Sequence, residues 1–177
     1  MCQKRTLKWC VIVIGLSVLP LLTTDRSTAA ADAADGNLLK PIAKAESWRF
    51  EQHEDGKGIL QVQEDTLVLK VTKTDGVDWH VQVFQTNLPL KDGKAYIVAF
   101  KAKADAKREM VVQAGIDMED WHMIGLDEHV DVPVEWKTFE FKFTAENVAD
   151  NGKNRLGFVL GMEKGTIYVK DLILKPA

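Results

Sequence analysis

Beyond Cys10 the chain of 177 residues contains no cysteine; its two thiols are Cys2 and Cys10. Everything downstream therefore lacks a disulfide, a thiol nucleophile and a cysteine metal site. Long apolar runs are missing as well. The one candidate, Cys10 to Leu22, has roughly 13 residues, against about 20 for a bilayer-spanning helix. No His-x-His or His-Glu-x-x-His spacing supports zinc. No Gly-x-Ser-x-Gly elbow and no phosphate-binding glycine loop occurs. Carboxylates do sit side by side in Glu119-Asp120 and Asp127-Glu128. No spaced pair on one strand face, however, supplies the two flanking acids that glycoside hydrolysis requires. Basic clusters are the last absence. The formal charge is −3, and the N-terminal segment is its most basic part, so the remainder is more acidic still. That balance argues against nucleic acid or an anionic membrane as partner.

What is present begins with a leader. Lys4, Arg5 and Lys8 precede the apolar run, and Ser27 to Ala34 is rich in small residues with several Ala-x-Ala sites. Residues 1–33 read as a secretory signal peptide, with an uncleaved anchor as the alternative. The expected destination is secreted, periplasmic or cell-envelope. Residues 34–45 read as a polar lead-in linker broken by Pro41. Residues 46–177 are long enough for one domain with its own core.

Across that domain, apolar residues recur with a period of two. Strands are predicted around residues 47–51, 58–63, 66–71, 79–85, 95–105, 109–117, 121–126, 135–143, 155–160 and 166–174. In the eighth, Phe139, Phe141 and Phe143 face one way and Thr138, Glu140 and Lys142 the other. In the last, Ile167, Val169, Asp171 and Ile173 share a parity, which implies a buried carboxylate in need of a partner. Residues 145–150 could hold one helical turn. Some ten short strands with turn-spaced breaks predict an all-β fold, an antiparallel two-sheet sandwich.

The stretch from Trp79 to Asp105 carries the most chemistry. Its first strand opens with an indole and bears the amides Gln82 and Gln85 among apolar residues. An indole covers the apolar face of a sugar ring and amides bond its hydroxyls, so such a face suits a neutral polyhydroxylated ligand. Val81 and Val83 take the core parity, with His80, Gln82 and Phe84 opposite. Trp79 joins Gln82 only if the strand starts irregularly, for which Asp75-Gly76 provides the means. Trp121-His122, beside the loop residues 117–120, forms a second aromatic candidate, and Gln113 lies on a polar parity suited to the same face. Trp48 and Trp136 read as structural, Tyr96, Phe100 and Tyr168 as core, and His53 and His129 as surface residues.

The order of segments resembles the carbohydrate-binding modules of the family 4/9 type. The resemblance rests on Trp79 and Gln82 in WHVQ, on Leu90 with Gly93-Lys94-Ala95-Tyr96, and on residues 100–104, FKAKA. Arg108, Trp136, residues 156–161 (LGFVLG) and residues 166–172 (TIYVKDL) complete it. It implies a jelly roll of the galactose-binding-like class and a non-catalytic role in binding a neutral polysaccharide or oligosaccharide. The implied ligand contacts are Trp79, His80, Gln82, Gln113, Trp121 and His122. No cofactor is required; the resemblance allows a structural calcium ion at Asp171, although Asn37, Glu46-Ser47-Trp48 and Lys170-Asp171 depart from the family pattern in that region. A glycoside hydrolase acting in trans is the implied protein partner. Two other readings stay open: a secreted protein-interaction or envelope-structural sandwich that binds no sugar, and a small glycan-active hydrolase.

Overall fold

A computed structural model of the protein describes residues 36–177. The leader expected at residues 1–33 lies outside the described residues. The described residues form ten strands: β1 Arg49–Gln52, β2 Lys57–Gln63, β3 Thr66–Lys73, β4 Val81–Leu88, β5 Ala95–Ala104, β6 Arg108–Ile116, β7 Met123–Val132, β8 Lys137–Thr144, β9 Asn154–Val159 and β10 Gly165–Pro176. They pair antiparallel into two sheets, a front sheet in the order β1-β4-β9-β6-β7 and a back sheet in the order β2-β3-β10-β5-β8. The architecture is the two-sheet sandwich that the period-two patterning predicts.

Alternation builds the core. In β8, Phe139 and Phe143 are buried while Thr138, Glu140 and Lys142 are exposed. Phe100 of β5 stacks on Phe139 within the back sheet and meets Phe158 of β9 edge-on across the sandwich, both at 5.2 Å between centroids. Such pairs add about 0.5–1.5 kcal/mol beyond the area they bury. Tyr96 and Trp48 are buried too.

Several expectations are corrected. Residues 34–45 are no linker where the structure describes them: Leu39 and Ile42 are buried in the core. Leu38 donates its N–H to the Leu174 carbonyl at 2.7 Å, and Asn37 Oδ1 accepts from Leu39 and Leu174 N–H. Gln85 falls on the core parity of β4, 2% exposed, and its amide brackets the lead-in rather than a ligand. Its Oε1 accepts from Lys40 N–H at 2.8 Å and its Nε2 donates to the Lys40 carbonyl at 2.9 Å. Residues 145–150 hold no helical turn; Ala145 is instead buried and bonded to the β4–β5 turn through Gly93 and Lys94.

The last strand breaks its own parity. Its pairing with β5 shifts register between Lys170 and Ile173, and Asp171 takes a φ of +54°. This bulge turns the Asp171 side chain out to solvent, where it pairs with Lys101 at 2.9 Å, and puts Leu172 and Leu174 into the core. The premise of a buried carboxylate at Asp171 is thereby removed. Among the described residues no three acids or histidines converge in a way that would hold a metal ion.

Trp136 and Tyr168 also lie elsewhere than expected. Trp136 is 37% exposed, and Tyr168 is half-buried on the outward side of β10. No helix among the described residues is long and apolar enough to cross a membrane.

Candidate functional site

The front sheet presents its outward face as an open cleft of about 530 Å³, within the ordinary ~300–1,000 Å³ range of small-ligand sites. Cross-strand register sets its rows. Glu51 pairs with Gln82 and Gln82 with Val159; Arg49 pairs with Phe84, Phe84 with Gly157, and Gly157 with Gln113. Gly157 forms the floor because nothing larger fits. A Cβ there would strike the Val83 carbonyl and the Phe84 side chain.

One wall is made by Trp79, which stands in a 3₁₀ turn, Asp78–His80, just before β4. This is the irregular start that lets an indole share a face with Gln82. Local polar contacts fold the turn. Asp78 Oδ1 accepts from Trp79 N–H at 2.7 Å, and Gly161 N–H donates to the Asp78 carbonyl at 2.7 Å. Glycine at 161 is obligatory, since a side chain would meet the carbonyls of Val77 and Asp78. His80, 7% exposed, pairs with Asp75 at 2.7 Å and supports the indole from behind. The two rings meet edge-on with centroids 4.2 Å apart, while His53 lies against Trp79 at 5.2 Å. Burial alone would raise the Asp75 pKa, but the hydrogen bonds from His80 and from the Val77 N–H outweigh it and hold the carboxyl below its ordinary value.

The other wall is Trp121, carried on the loop between β6 and β7. Asp120 and Trp121 both adopt positive φ, +88° and +49°, a costly conformation for a bulky residue. His122 anchors the loop from outside the cleft. Its Nδ1 meets Asp120 Oδ2 at 2.9 Å and its Nε2 meets the Asn147 carbonyl at 2.8 Å. Both partners are acceptors, so both ring nitrogens must donate, and the imidazolium is favoured. The Asn147 carbonyl and then Asp120 accordingly raise its pKa above the ordinary value.

Between the indoles lie two amides of fixed orientation. Gln82 Nε2 donates to Glu51 Oε2 at 3.2 Å, and Gln113 Nε2 donates to Asp127 Oδ1 at 2.9 Å. Each carboxylate dictates which end of the amide it meets, leaving both carbonyl oxygens without a protein donor among the described residues. Arg155 supplies the opposite polarity. Its guanidinium stacks over Phe84 at 4.7 Å and Trp121 at 5.2 Å and donates to no protein acceptor among the described residues. Burial lowers its pKa, opposed by the nearby carboxylates of Asp117 and Glu51. The neighbouring Arg49 is instead spent on Asp117 through two hydrogen bonds and on Glu51 at 3.0 Å. Free acceptors, free donors and two indoles 49% exposed match a ligand whose hydroxyls both give and take hydrogen bonds and whose rings have apolar faces.

Residues 43–161 match the family described as carbohydrate binding domain, of the 4/9 type. The chain belongs to this family. A solved family 4 carbohydrate-binding module superposes on the domain with a TM-score of 0.64 at 26% identity, over 81% of this chain and 96% of the other. The second N-terminal cellulose-binding domain of Cellulomonas fimi β-1,4-glucanase C gives 0.62 at 15% identity, over 80% and 95%. A family 11 module of Clostridium thermocellum, solved with a β-1,3-1,4-mixed-linked tetrasaccharide, gives 0.56 at 15% identity, over 80% and 95%. The last two likenesses establish a common fold. No curated protein matches the chain.

Of the six expected ligand contacts, the carbohydrate-binding domain brings Trp79, Gln82, Gln113 and Trp121 to one cleft. His80 and His122 lie behind its two walls as supports. Glu51, His53, Asp78, Met123 and Arg155 complete the lining and were not anticipated. Arg155 was accessible from parity: it alternates outward with Leu156 and Phe158, beside a glycine that leaves the sheet face open. His53 carries no such signal, because it follows the end of β1 and reaches the cleft only through sheet pairing.

Proposed function

We propose that the domain binds a neutral polysaccharide or oligosaccharide in the front-sheet cleft without cleaving it. The observation that carries this reading is the pair of exposed indoles lining one cleft with amide oxygens that have no protein donor, and a guanidinium that has no protein acceptor, among the described residues. Sugar rings stack on Trp79 and Trp121, hydroxyl hydrogens go to Gln82 and Gln113, and hydroxyl oxygens accept from Arg155. Stacking and neutral hydrogen bonds each contribute on the order of 1 kcal/mol, which places Kd in the micromolar to millimolar range. The two acids of the lining are engaged in positioning: Glu51 orients Gln82, and Asp78 folds the turn beneath Trp79. A glycoside hydrolase working in trans on the same polymer is the partner such a module would serve, in a secreted or envelope setting.

Affinity electrophoresis in gels containing β-glucan, xylan, mannan or soluble cellulose derivatives tests the proposal. At least one neutral glycan is expected to retard the protein. Trp79→Ala is expected to weaken retention about tenfold, the loss of roughly one good stacking contact with its desolvated neighbours. Absence of retention by every neutral glycan would overturn it, and release of reducing sugar would overturn the non-catalytic part.

A further inference from the structure

The outward face of the back sheet has the opposite charge character. In the sequence its lysines are scattered and no basic run stands out; strand pairing collects them. Lys170 of β10 lies directly opposite Lys101 of β5, and Tyr168 lies opposite Lys103. Lys70 of β3 and Lys142 of β8 extend the field to either side. The outward positions of these strands carry the carboxylates Glu140 and Asp171, and Asp171 is held by Lys101. Among the described residues Lys70, Lys103, Lys142 and Lys170 have no carboxylate partner. Like charges placed opposite each other on adjacent strands are destabilising, a cost set against the contacts that Lys103 and Lys170 make with aromatic rings.

Two aromatic rings sit inside this field. The Lys170 ammonium lies 4.5 Å and the Lys103 ammonium 5.2 Å from the centroid of the exposed Trp136 ring. Lys103 is also 5.2 Å from the Tyr168 ring. Rings and ammonium groups thus lie side by side over β10, β5 and the residue that leads into β8. We infer that this face is a second glycan site, for a polysaccharide whose sugar rings carry carboxylates. Each unit of such a polymer has an apolar ring face for Trp136 and an anion for a lysine. The strands of this sheet hold no arginine, whose planar fork is what a phosphate backbone selects, so the face fits single carboxylates better than a nucleic acid. The inference concerns the sheet opposite the cleft and stands independently of the cleft's ligand.

The test uses the intact protein in affinity gels containing polygalacturonate, an uncharged β-glucan or polyglutamate, with a single-stranded oligonucleotide and anionic phospholipid vesicles as further arms. Polygalacturonate is expected to retain the protein, with retention falling as salt rises. Lys103→Gln/Lys170→Gln and, separately, Trp136→Ala are each expected to weaken it about five- to tenfold. Trp79→Ala should leave polygalacturonate binding unchanged, and the back-sheet variants should leave β-glucan binding unchanged, so the two sites fail or succeed separately. Thermal unfolding checks each variant, with Lys70→Gln/Lys101→Gln as the substitute for one that does not fold. No retention by polygalacturonate would overturn the inference. So would equal retention by polyglutamate with no effect of Trp136→Ala, which marks a general polyanion effect. Tighter binding to the oligonucleotide or the vesicles would overturn it in favour of that partner class.

Discussion

At the scale of single residues, the cleft is set by conformations that a sequence favours only under constraint. Trp121 holds a φ of +49°, where a side chain costs on the order of 1–3 kcal/mol relative to glycine. Replacing it therefore separates backbone strain from ring contact. Trp121→Gly is expected to be more stable than Trp121→Ala by about 1 kcal/mol, the reverse of the ordinary order, while both lose glycan affinity. Chemical unfolding of the two variants decides; an alanine variant as stable as the glycine variant would deny the strain. His122 gives a pH dependence. Its pKa is raised in the fold, so its contribution is complete below the unfolded value and is lost as pH rises through the higher folded value. Titrating the imidazole by NMR should give a midpoint above 6.5, moved downward by Asp120→Asn. A midpoint at or below 6.5 would contradict the double-donor geometry.

At the scale of elements, alternation was the readable signal, and it worked wherever strands stayed regular. Inward Val81 and Val83, the phenylalanines of β8 and the polar parity of Gln113 all follow from it. It failed where the backbone departs from period two. The bulge at Asp171 exchanges inside and outside in mid-strand, and positive φ at a non-glycine residue leaves no mark in composition. It also failed for Trp136, which precedes an inward stripe yet lies outside it. Gln82 and Gln85 share a strand and an amide chemistry, but three positions separate them, which puts them on opposite faces. The lead-in has no periodicity and so resembles a linker in sequence; it docks through Asn37 and Gln85 instead of through a strand. Gln85→Ala is accordingly expected to cost about 1–3 kcal/mol, since the Lys40 backbone groups lose their partners. Urea unfolding should register that loss while glycan retention stays unchanged. A variant as stable as the parent would mean that the contacts of Asn37 and Leu38 with β10 and the burial of Leu39 and Ile42 hold the lead-in without Gln85.

At the scale of the whole molecule, two sheets share one core and differ in what they show to solvent. The front face gathers indoles, amides and acids; the back face gathers lysines around Trp136. The acids of the cleft and the lysine field of the back face are not visible in the linear order, because each face draws on strands scattered along the chain: Glu51 reaches Gln82, and Gln82 reaches Val159, only through the pairing β1-β4-β9. Net charge, the quantity most easily read from composition, averages this division away.

The strand order carries a consequence for biosynthesis. Each sheet seats at its middle a strand from the final quarter of the chain, β9 between β4 and β6 and β10 between β3 and β5. Translation therefore delivers the two keystones last, and neither layer can close around a partial chain. Until then only the flanking pairs β1–β4, β2–β3, β5–β8 and β6–β7 can form, with apolar faces uncovered and two inner edges open in each sheet, a state prone to aggregation. A polypeptide stopped at Lys153, short of both β9 and β10, should leave its amides unprotected in hydrogen exchange, and appreciable protection of β4 or β5 in that fragment would point to an earlier nucleus.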